Sequence, residues 1–415
     1  MRVGIEKLNL YGGRAYLTIA DLASARGGSL TELERRQMVP YESRAIVPPY
    51  EDPVTLAVNA TERLLTDDDR AQIELVVVAT ESAVDFGKPI STWVQRFCRL
   101  PAHSRNFEVK HMCYGGTAAL RVAASWVASN VCPGKKALVI NSDLSRTRNH
   151  MQTEDDDLGE LMAGGSAVAM LVSAEPAVFE LELEKAGYWT NELSDALRPN
   201  SRTEIITGTT SFYSYLDALE ETYERYEAIV GEVDFESYFR KNIYHAPFPG
   251  MTKVAHKTLL NRLNVTDKAV IEASWRDRVA ASTHFARRIG SAYGASTFIC
   301  LLGMLYTATD LAAGDRLSVF AYGSGCQAEF YSGLVGPDAT GYVRGLDLDA
   351  HLDSRVRLSV AQYEQIEKAC ETNIDERTYQ PLTQDVGDLY AQRYEGEHLL
   401  VLEAVRDYHR HYRWS

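Results

Sequence analysis

The chain of 415 residues lacks the features that mark a metal centre, a disulfide framework or a membrane span. Its six cysteines include no CxxC pair and no grouping with histidine at zinc-site spacing, which favours reduced thiols. No apolar run is long enough to cross a bilayer, and the first residues lack the apolar segment of a signal peptide. We therefore expect a soluble, cytoplasmic protein.

Positive charge is also scarce. The formal net charge of −14 leaves no excess of lysine and arginine to neutralise phosphates, which argues against a general nucleic-acid binder. No long Pro-, Ser- or Gly-rich linker interrupts the chain, so its parts should pack into one body. The length suits two domains or a duplicated fold.

What is present is an alternation of apolar strand patterns and helical patterns, typical of βαβ units around a largely parallel sheet. Residues 1–173 form a first half, and residues 174–415 repeat the alternation as a second half. Within the second half, residues near 190–240 are interpreted as an inserted cap, because a Tyr- and Glu-rich helical pattern over 211–230 resembles a surface helix. The predicted strands are 74–80, 106–110, 136–142, 167–172, 178–186, 242–245 and 316–322, and the predicted helices include 114–128, 251–263 and 295–307.

Cys113 lies between a predicted strand and a predicted helix and is followed by Gly115 and Gly116. A cysteine at a helix N-terminus meets the positive end of the helix dipole, which should lower its pKa and favour the nucleophilic thiolate. Taken alone, the commoner explanation is a buried core cysteine.

Three other strand ends carry polar groups. Glu81 follows an apolar strand, where a carboxyl group near apolar walls has its neutral form favoured and can act as acid or base. His245 ends another strand and can polarise a carbonyl. Gly323 and Ser324 form a glycine turn whose backbone N–H can bind an oxyanion. Separately, each has an ordinary structural explanation.

Together these residues match one family pattern. The segment His111-Met112-Cys113-Tyr114-Gly115-Gly116-Thr117 closely resembles the nucleophile motif of 3-hydroxy-3-methylglutaryl (HMG) synthases. The further matches, which extend the resemblance over nearly the whole chain, are Arg198-Pro199-Asn200, Ser211 with Tyr215-Leu216, His245 with Pro247-Phe248, Gly290 with Tyr293, and Tyr322-Gly323-Ser324-Gly325.

Within that family the chain is most similar to the carrier-protein-dependent branch of polyketide β-branching cassettes. The stretches that carry this resemblance are Leu10-Tyr11-Gly12-Gly13, Pro40-Tyr41-Glu42, Tyr50-Glu51-Asp52-Pro53-Val54-Thr55, and the ending Asp407-Tyr408-His409-Arg410 with Trp414-Ser415. One departure is Ser291, where CoA-dependent synthases usually have Asn.

The resemblance implies an α/β thiolase fold of two topologically similar halves in αβαβα layers, usually a homodimer. It implies that Cys113 takes acetyl from a donor acyl carrier protein, that Glu81 removes a methyl proton, and that His245 hydrogen-bonds and protonates the β-keto oxygen of an acceptor carried by a polyketide synthase acyl carrier protein. Hydrolysis then releases the product, with no metal or redox cofactor. It assigns substrate or oxyanion contacts to Ser211, Tyr293, Gly323 and Ser324.

Two alternatives stay open. A synthase of primary isoprenoid metabolism would use the same trio with acetyl-CoA and acetoacetyl-CoA, whereas a noncatalytic thiolase-fold protein would not be acylated. For the carrier protein, which is itself acidic, we expect a local basic surface on the helix after His245, formed by Lys253, Lys257 and Arg262. The remaining cysteines, Cys98, Cys132, Cys300, Cys326 and Cys370, are expected to be structural.

Overall fold

The computed structural model describes residues 2–29, 31, 41–145, 151–153, 156–384 and 387–415. The strands are β1 (Gly4–Tyr11), β2 (Ala15–Thr18), β3 (Ser43–Ile46), β4 (Ile73–Ala79), β5 (Arg105–Val109), β6 (Lys136–Leu144), β7 (Met151–Thr153), β8 (Gly165–Ser173), β9 (Phe179–Thr190), β10 (Ala196–Leu197), β11 (Glu204–Ile206), β12 (Lys241–Tyr244), β13 (Arg316–Gly323), β14 (Gln327–Val335), β15 (Val356–Arg357), β16 (Leu400–Arg406) and β17 (His409–Trp414).

The α-helices are α1 (Ile19–Ala25), α2 (Pro53–Glu62), α3 (Asp67–Gln72), α4 (Ile90–Phe97), α5 (Gly115–Ala128), α6 (Asp156–Met162), α7 (Gly208–Val230), α8 (Phe235–Tyr238), α9 (Pro249–Arg262), α10 (Lys268–Arg278), α11 (Thr283–Ile289), α12 (Ala295–Thr307), α13 (Ala339–Gly345), α14 (Leu348–Asp353), α15 (Val360–Asn373) and α16 (Leu389–Arg393). The predicted strands and helices are therefore present, with ends that differ by a few residues.

The main sheet has the order β12-β13-β14-β9-β1-β8-β6-β4-β5. Only the pairs β12–β13, β6–β4 and β4–β5 in this sheet are parallel, and the other neighbours are antiparallel. The expectation of a largely parallel sheet is thus wrong, because β8, β9 and β14 run antiparallel to both of their neighbours in the sheet. A reversing strand and a strand reached through a helix can share the same apolar pattern.

The sheet order repeats itself about its centre. Reading outward from β1, the first half has β8, β6 and β4, joined by two antiparallel contacts and one parallel contact. Reading outward from β9, the second half has β14, β13 and β12 with the same three contact types. The halves meet where Gly4 and Ile5 pair with Glu180 and Phe179. This repeat is the topological similarity of halves expected of the thiolase fold.

The two faces of each half-sheet bury different cores. In β4, Leu75 and Val77 face a central core that also contains α5 and α12, whereas Val76 faces an outer core with α2 and α4. In β13, Val319 faces the same central core, and Phe320 faces a third core with α7, α9 and α10. This gives the predicted αβαβα layers. Helix α12 is buried from Ala295 to Leu305, as a helix that is apolar all round must be.

Helix α7 is not the superficial cap that its Tyr- and Glu-rich sequence suggested. Its Tyr215, Leu219, Tyr223 and Tyr226 are buried against β9 and β14, and they form part of the third core. Buried tyrosines need a partner for the hydroxyl, and Tyr226 donates to Ser332 Oγ at 2.8 Å. The helix therefore forms part of the outer layer of the second half.

The last part of the chain returns to the first half. Tyr363 of α15, Leu389 of α16 and Leu400 of β16 pack with Val54 of α2 in the outer core of that half. Strand β8 ends at Ser173, where the sequence places the boundary between halves, and that division remains a prediction. Among the described residues, no helix is both long enough and apolar enough to cross a membrane.

Candidate active site

Cys113 stands in a tight connection between β5 and α5. The residue before it, Met112, has φ of +39°, in the left-handed region that side chains rarely adopt. Gly115 N–H donates to the carbonyl of His111 at 3.2 Å and so holds the turn. This strained connection leaves Cys113, which is half-buried, at the N-terminal end of a fourteen-residue helix.

The Cys113 thiol contacts the Glu81 carboxyl group, as Sγ lies 3.5 Å from Oε1. Glu81 follows β4, a neighbour of β5 in the sheet, so the parallel strands deliver both side chains to the same edge. Two of the three predicted catalytic residues are therefore in direct contact. A thiol that donates to a carboxylate can pass its proton there when the sulfur attacks a carbonyl carbon.

Burial raises the pKa of both partners. For Glu81 the negative charges of Asp143 and Glu204 add to burial and favour the neutral carboxyl, as expected, and Arg198 opposes them. For Cys113, burial and the charge of Glu81 raise the pKa well above its ordinary value. The expectation of a lowered pKa for Cys113 is thus wrong for the resting site, because burial and the neighbouring Glu81 raise that pKa.

Asp143 holds the end of β4 in place. It lies in β6, and one oxygen, Oδ1, accepts from the Thr80 hydroxyl at 2.9 Å, from Glu81 N–H at 2.8 Å, and from Ser82 N–H at 3.1 Å and hydroxyl at 2.9 Å. Burial raises the pKa of Asp143 to about 6 despite these hydrogen bonds. The backbone that carries Glu81 is therefore fixed by a second carboxyl group behind it.

Arg198 supplies the positive charge of the site. Its guanidinium donates to the Glu81 carbonyl, forms an ion pair with Glu204 at 2.8 Å and lies 3.3 Å from the Tyr293 hydroxyl. Tyr293 in turn donates to Glu204 at 3.0 Å. Tyr293, expected as a substrate or oxyanion contact, is thus engaged in this network, and its role toward substrate stays a prediction.

His245 is buried at the end of β12. Its Nδ1 lies 3.2 Å from the Thr297 hydroxyl of α12, and its Nε2 has no hydrogen-bond partner in the described part of the chain. Burial lowers the pKa of His245 to about 3, so the resting ring is neutral. A neutral ring with one anchored nitrogen has the other nitrogen available for a carbonyl oxygen.

The second half closes against Cys113 through glycines. A Cβ on Gly323 would lie 2.4 Å from Tyr114 N and 2.7 Å from the His111 carbonyl, so only glycine allows β13 this close to the nucleophile turn. A Cβ on Gly294, just before α12, would lie 3.2 Å from the Cys113 carbonyl. The half that carries His245 therefore packs directly on the Cys113 turn.

The remaining predicted contacts divide into two groups. Ser324, next to Gly323, has its hydroxyl 3.5 Å from that of Ser211 in the first turn of α7. On α9, Lys253 pairs with Glu272 at 2.5 Å, Lys257 is exposed, and Arg262 pairs with Glu224 at 2.9 Å. The structure thus places the Ser211 and Ser324 hydroxyls next to each other. The binding of a carrier protein by the three cations of α9 stays a prediction.

Sequence reasoning missed Asp143, Arg198, Glu204 and Thr297 as site residues. Asp143 could have been found by the rule that located Glu81, since it also lies at the carboxyl end of a strand. Arg198 was part of a segment that matched the family, Arg198-Pro199-Asn200, but the match assigned no function to it. Glu204 lies on the short strand β11 and carries no sequence signal that we recognise.

Comparison with known proteins agrees with this geometry. Residues 2–176 match the family model for the N-terminal part of hydroxymethylglutaryl-coenzyme A synthase, and residues 255–412 match the model for its C-terminal part. The polyketide biosynthesis 3-hydroxy-3-methylglutaryl-ACP synthase PksG of Bacillus subtilis is 35% identical, and the alignment covers 99% of each chain. The hydroxymethylglutaryl-CoA synthase of Enterococcus faecalis is 31% identical, over 91% of this chain and 94% of its own.

Among solved structures, the curacin biosynthetic pathway HMG synthase in complex with acetyl donor-ACP superposes with a TM-score of 0.94 at 35% identity and covers 100% of both chains. Both the sequence and the αβαβα architecture are therefore shared over their full length. The chain belongs to the hydroxymethylglutaryl-coenzyme A synthase family.

Proposed function

We propose that this protein condenses an acetyl group, taken from an acetyl carrier protein, with the β-keto carbon of a polyketide chain on a second carrier protein. The observation that carries this proposal is the Cys113–Glu81 pair, in a chain that matches PksG from end to end. The superposition on the curacin enzyme bound to acetyl donor-ACP supports a carrier protein as donor.

The first step is acyl transfer. Cys113 Sγ attacks the donor thioester carbonyl while its proton passes to the ionised form of Glu81, which Arg198 favours, 3.5 Å away. The carbon–sulfur bond to the carrier then breaks, and the leaving thiolate takes that proton. This leaves acetyl-Cys113 and an ionised Glu81, which is the form that a general base requires.

The second step forms the carbon–carbon bond. Glu81 removes a proton from the acetyl methyl group, and the carbanion adds to the β-keto carbon of the acceptor. Arg198 favours the ionised carboxylate, since its charge opposes the effect of burial on the pKa of Glu81. Asp143 fixes the position of Glu81 through the backbone.

His245 receives the developing oxyanion. With Nδ1 accepting from the Thr297 hydroxyl, Nε2 carries the ring proton and hydrogen-bonds the acceptor oxygen. The Nε2 proton passes to the new alkoxide, and the proton that Glu81 took from the methyl group replaces it on Nε2. Water then cleaves the Cys113 thioester, giving a carboxylate product, a proton and the free thiol. The product is a 3-hydroxy-3-carboxymethyl acyl chain on its carrier.

Every step is an acyl transfer, a proton transfer or an addition to a carbonyl, so the proposed reaction needs no metal or redox cofactor. It does need Cys113 as a reduced thiol, which favours the cytoplasm as its location. By analogy with the family we also propose a homodimer.

The second candidate is a CoA-dependent synthase of isoprenoid metabolism, which the 31% identity to the Enterococcus faecalis protein favours. Both candidates use the same three residues. They differ in the donor that acylates Cys113 and in the acceptor.

The test is to incubate the protein with acetyl carrier protein and with acetyl-CoA in parallel and to measure the intact mass. We expect rapid addition of one acetyl group from the carrier protein and slow addition from acetyl-CoA. Preferential acetylation by acetyl-CoA would support the isoprenoid alternative. No adduct from either donor would support a noncatalytic thiolase-fold protein.

A further inference from the structure

A group of cationic side chains lies apart from the proposed catalytic residues, where β1 ends against α14. It consists of Arg14, Arg63, Arg355 and His351, and we call it the arginine cluster. Arg14 and Arg355 are buried, with 7% and 5% of their surfaces exposed, whereas Arg63 is exposed to solvent. The Tyr11 ring centroid lies 5.7 Å from Arg63 Cζ and 5.7 Å from the centroid of the His351 ring.

The hydrogen-bond roles of His351 leave two donors facing each other. Gly12 N–H donates to His351 Nε2 at 3.2 Å, so a neutral ring carries its proton on Nδ1. That Nδ1–H then faces Arg63 Nη1 at 3.4 Å, and a guanidinium can only donate. Burial and the surrounding arginines hold the pKa of His351 down to about 3, and a protonated ring would only add a further donor.

Two further donors of the cluster are unsatisfied. Arg14 Nε and Arg355 Nη1 are buried and have no hydrogen-bond partner in the described part of the chain. The other nitrogens of Arg355 donate to the Leu352 and Arg288 carbonyls, at 3.0 Å each. A buried N–H group without a partner is costly, so each of the two unsatisfied atoms calls for an acceptor.

The nearby carboxylates that the structure describes do not accept from these unsatisfied donors. The one ion pair of the cluster among the described residues joins Arg14 to Glu397 at a long 3.5 Å. Glu51 accepts from the hydroxyls of Tyr11 and Tyr394, at 2.7 and 2.8 Å, so each of its two oxygens already has a donor outside the cluster.

The neighbouring acids are already paired. Arg288, next to the cluster, binds Asp349 at 2.7 Å and also binds Asp353. Among the described residues, Asp349 and Asp353 are thus bound to Arg288, and no ion pair joins Arg63 or Arg355 to a carboxylate.

We propose that the arginine cluster is a binding site for a small oxyanion, a phosphate or carboxylate group that enters past Arg63 and accepts from His351 Nδ1 and the guanidinium donors. Two or more acceptor oxygens on one anion satisfy donors that no protein group satisfies. Since the anion would tie the end of β1 to α14, it should also stabilise the folded protein.

The experiment measures anion binding to the full chain by calorimetry, with inorganic phosphate and acetate as the two probes against chloride at matched ionic strength. We expect saturable binding and a rise in Tm with at least one probe. The tighter of the two probes identifies the anion class. Binding should also shift the imidazole resonances assigned to His351.

The decisive variant is Arg63→Gln, which removes an exposed side chain and leaves the buried members intact. It should weaken binding about tenfold or more, the value of one charge-assisted hydrogen bond. The matched control is Arg99→Gln, an exposed arginine outside the cluster, which should bind as the unmodified protein does. Absence of binding by both probes, or equal binding by the Arg63→Gln variant, would overturn the proposal.

Discussion

The two halves of the molecule share a scaffold but differ in chemistry at equivalent places. In the first half, α5 begins at the segment Cys113-Tyr114-Gly115-Gly116-Thr117, and in the second half α12 begins at Ala292-Tyr293-Gly294-Ala295-Ser296. The two segments align residue by residue, with alanine where the first half has its thiol. The strand ends differ likewise, since β4 leads to Glu81 and β12 leads to His245.

This comparison shows how a repeated scaffold can divide the work of one reaction. The first half brings a nucleophile and a carboxyl group into contact, whereas the second half brings an anchored neutral imidazole. Because Gly323 and Gly294 pack on the Cys113 turn, the half that carries His245 lies directly against the half that carries Cys113 and Glu81. The repeated fold thus provides equivalent strand ends and helix starts in both halves, and the different residues at these places perform different functions.

The largest expected effect is the loss of acetylation when the nucleophile Cys113 is replaced by alanine, the residue at the corresponding position of the second half. Cys113→Ala places in the first half the residue that the second half has at Ala292. We expect no acetyl adduct by intact mass, since the attacking sulfur is gone, with an unchanged circular dichroism spectrum because alanine fits the same turn. The control is Cys132→Ala, another half-buried cysteine, which should be acetylated normally. Stoichiometric acetylation of the Cys113→Ala variant would exclude Cys113 as the nucleophile.

The next effect separates the two functions of the first half. Glu81→Gln should still accept acetyl on Cys113, more slowly because the thiol loses its proton acceptor, but should lose condensation by about 10²–10⁴-fold, the usual contribution of a general base. The measurement follows product formation by enzyme that has been acetylated beforehand. Glu74→Gln, near the start of the same strand, is the control and should condense normally. Near-normal condensation by the Glu81→Gln variant would remove Glu81 from the mechanism.

The site residues that can be predicted from the sequence are those at or just after the end of a predicted strand. Cys113, Glu81 and His245 could be located because an apolar run shows where a strand stops, and the motif resemblance then assigned their roles. The contact between Cys113 and Glu81 follows from neighbouring parallel strands. Most strand and helix positions were predictable for the same reason, as periodicity is local.

Features that depend on tertiary packing could not be predicted in this way. The burial of α7 was missed because its tyrosines read as polar until the sheet beneath them is known. The raised pKa of Cys113 was not predicted. The helix-dipole argument considers only the helix that follows the cysteine, whereas burial, the largest cause of the shift, depends on the whole fold. The arrangement of Arg198 around Glu81 joins residues far apart in the chain.

A smaller effect is expected from the charge that tunes Glu81. Arg198 lowers the pKa of Glu81, so Arg198→Gln should raise that pKa further. Since the ionised carboxylate is the active base, the pH at which condensation reaches half its maximum should move upward. The rate of condensation by enzyme that has been acetylated beforehand, measured as a function of pH, reports this shift.

Two variants control for structural damage at this position. Arg198→Lys keeps the charge and should keep a midpoint closer to that of the unmodified enzyme. Arg202→Gln, an exposed arginine of the same segment that pairs with Asp375, should leave the profile unchanged. A midpoint that moves to lower pH in the Arg198→Gln variant would contradict the assigned role.

The smallest effect concerns the outer surfaces of the halves, where α4 follows β4 and α9 follows β12. Each helix presents an exposed arginine, Arg96 on α4 and Arg262 on α9. If the carrier protein docks on the second half, Arg262→Glu should slow acetyl transfer from carrier protein a few-fold, most strongly at low salt, because exposed charges act through screened attraction. Transfer from a small acetyl thioester should stay unchanged, since Arg262 lies on the surface and pairs with Glu224. Arg96→Glu makes the same charge reversal on the first half and should affect neither donor. Equal loss with both donors, or equal loss in both variants, would show that α9 is not the docking helix.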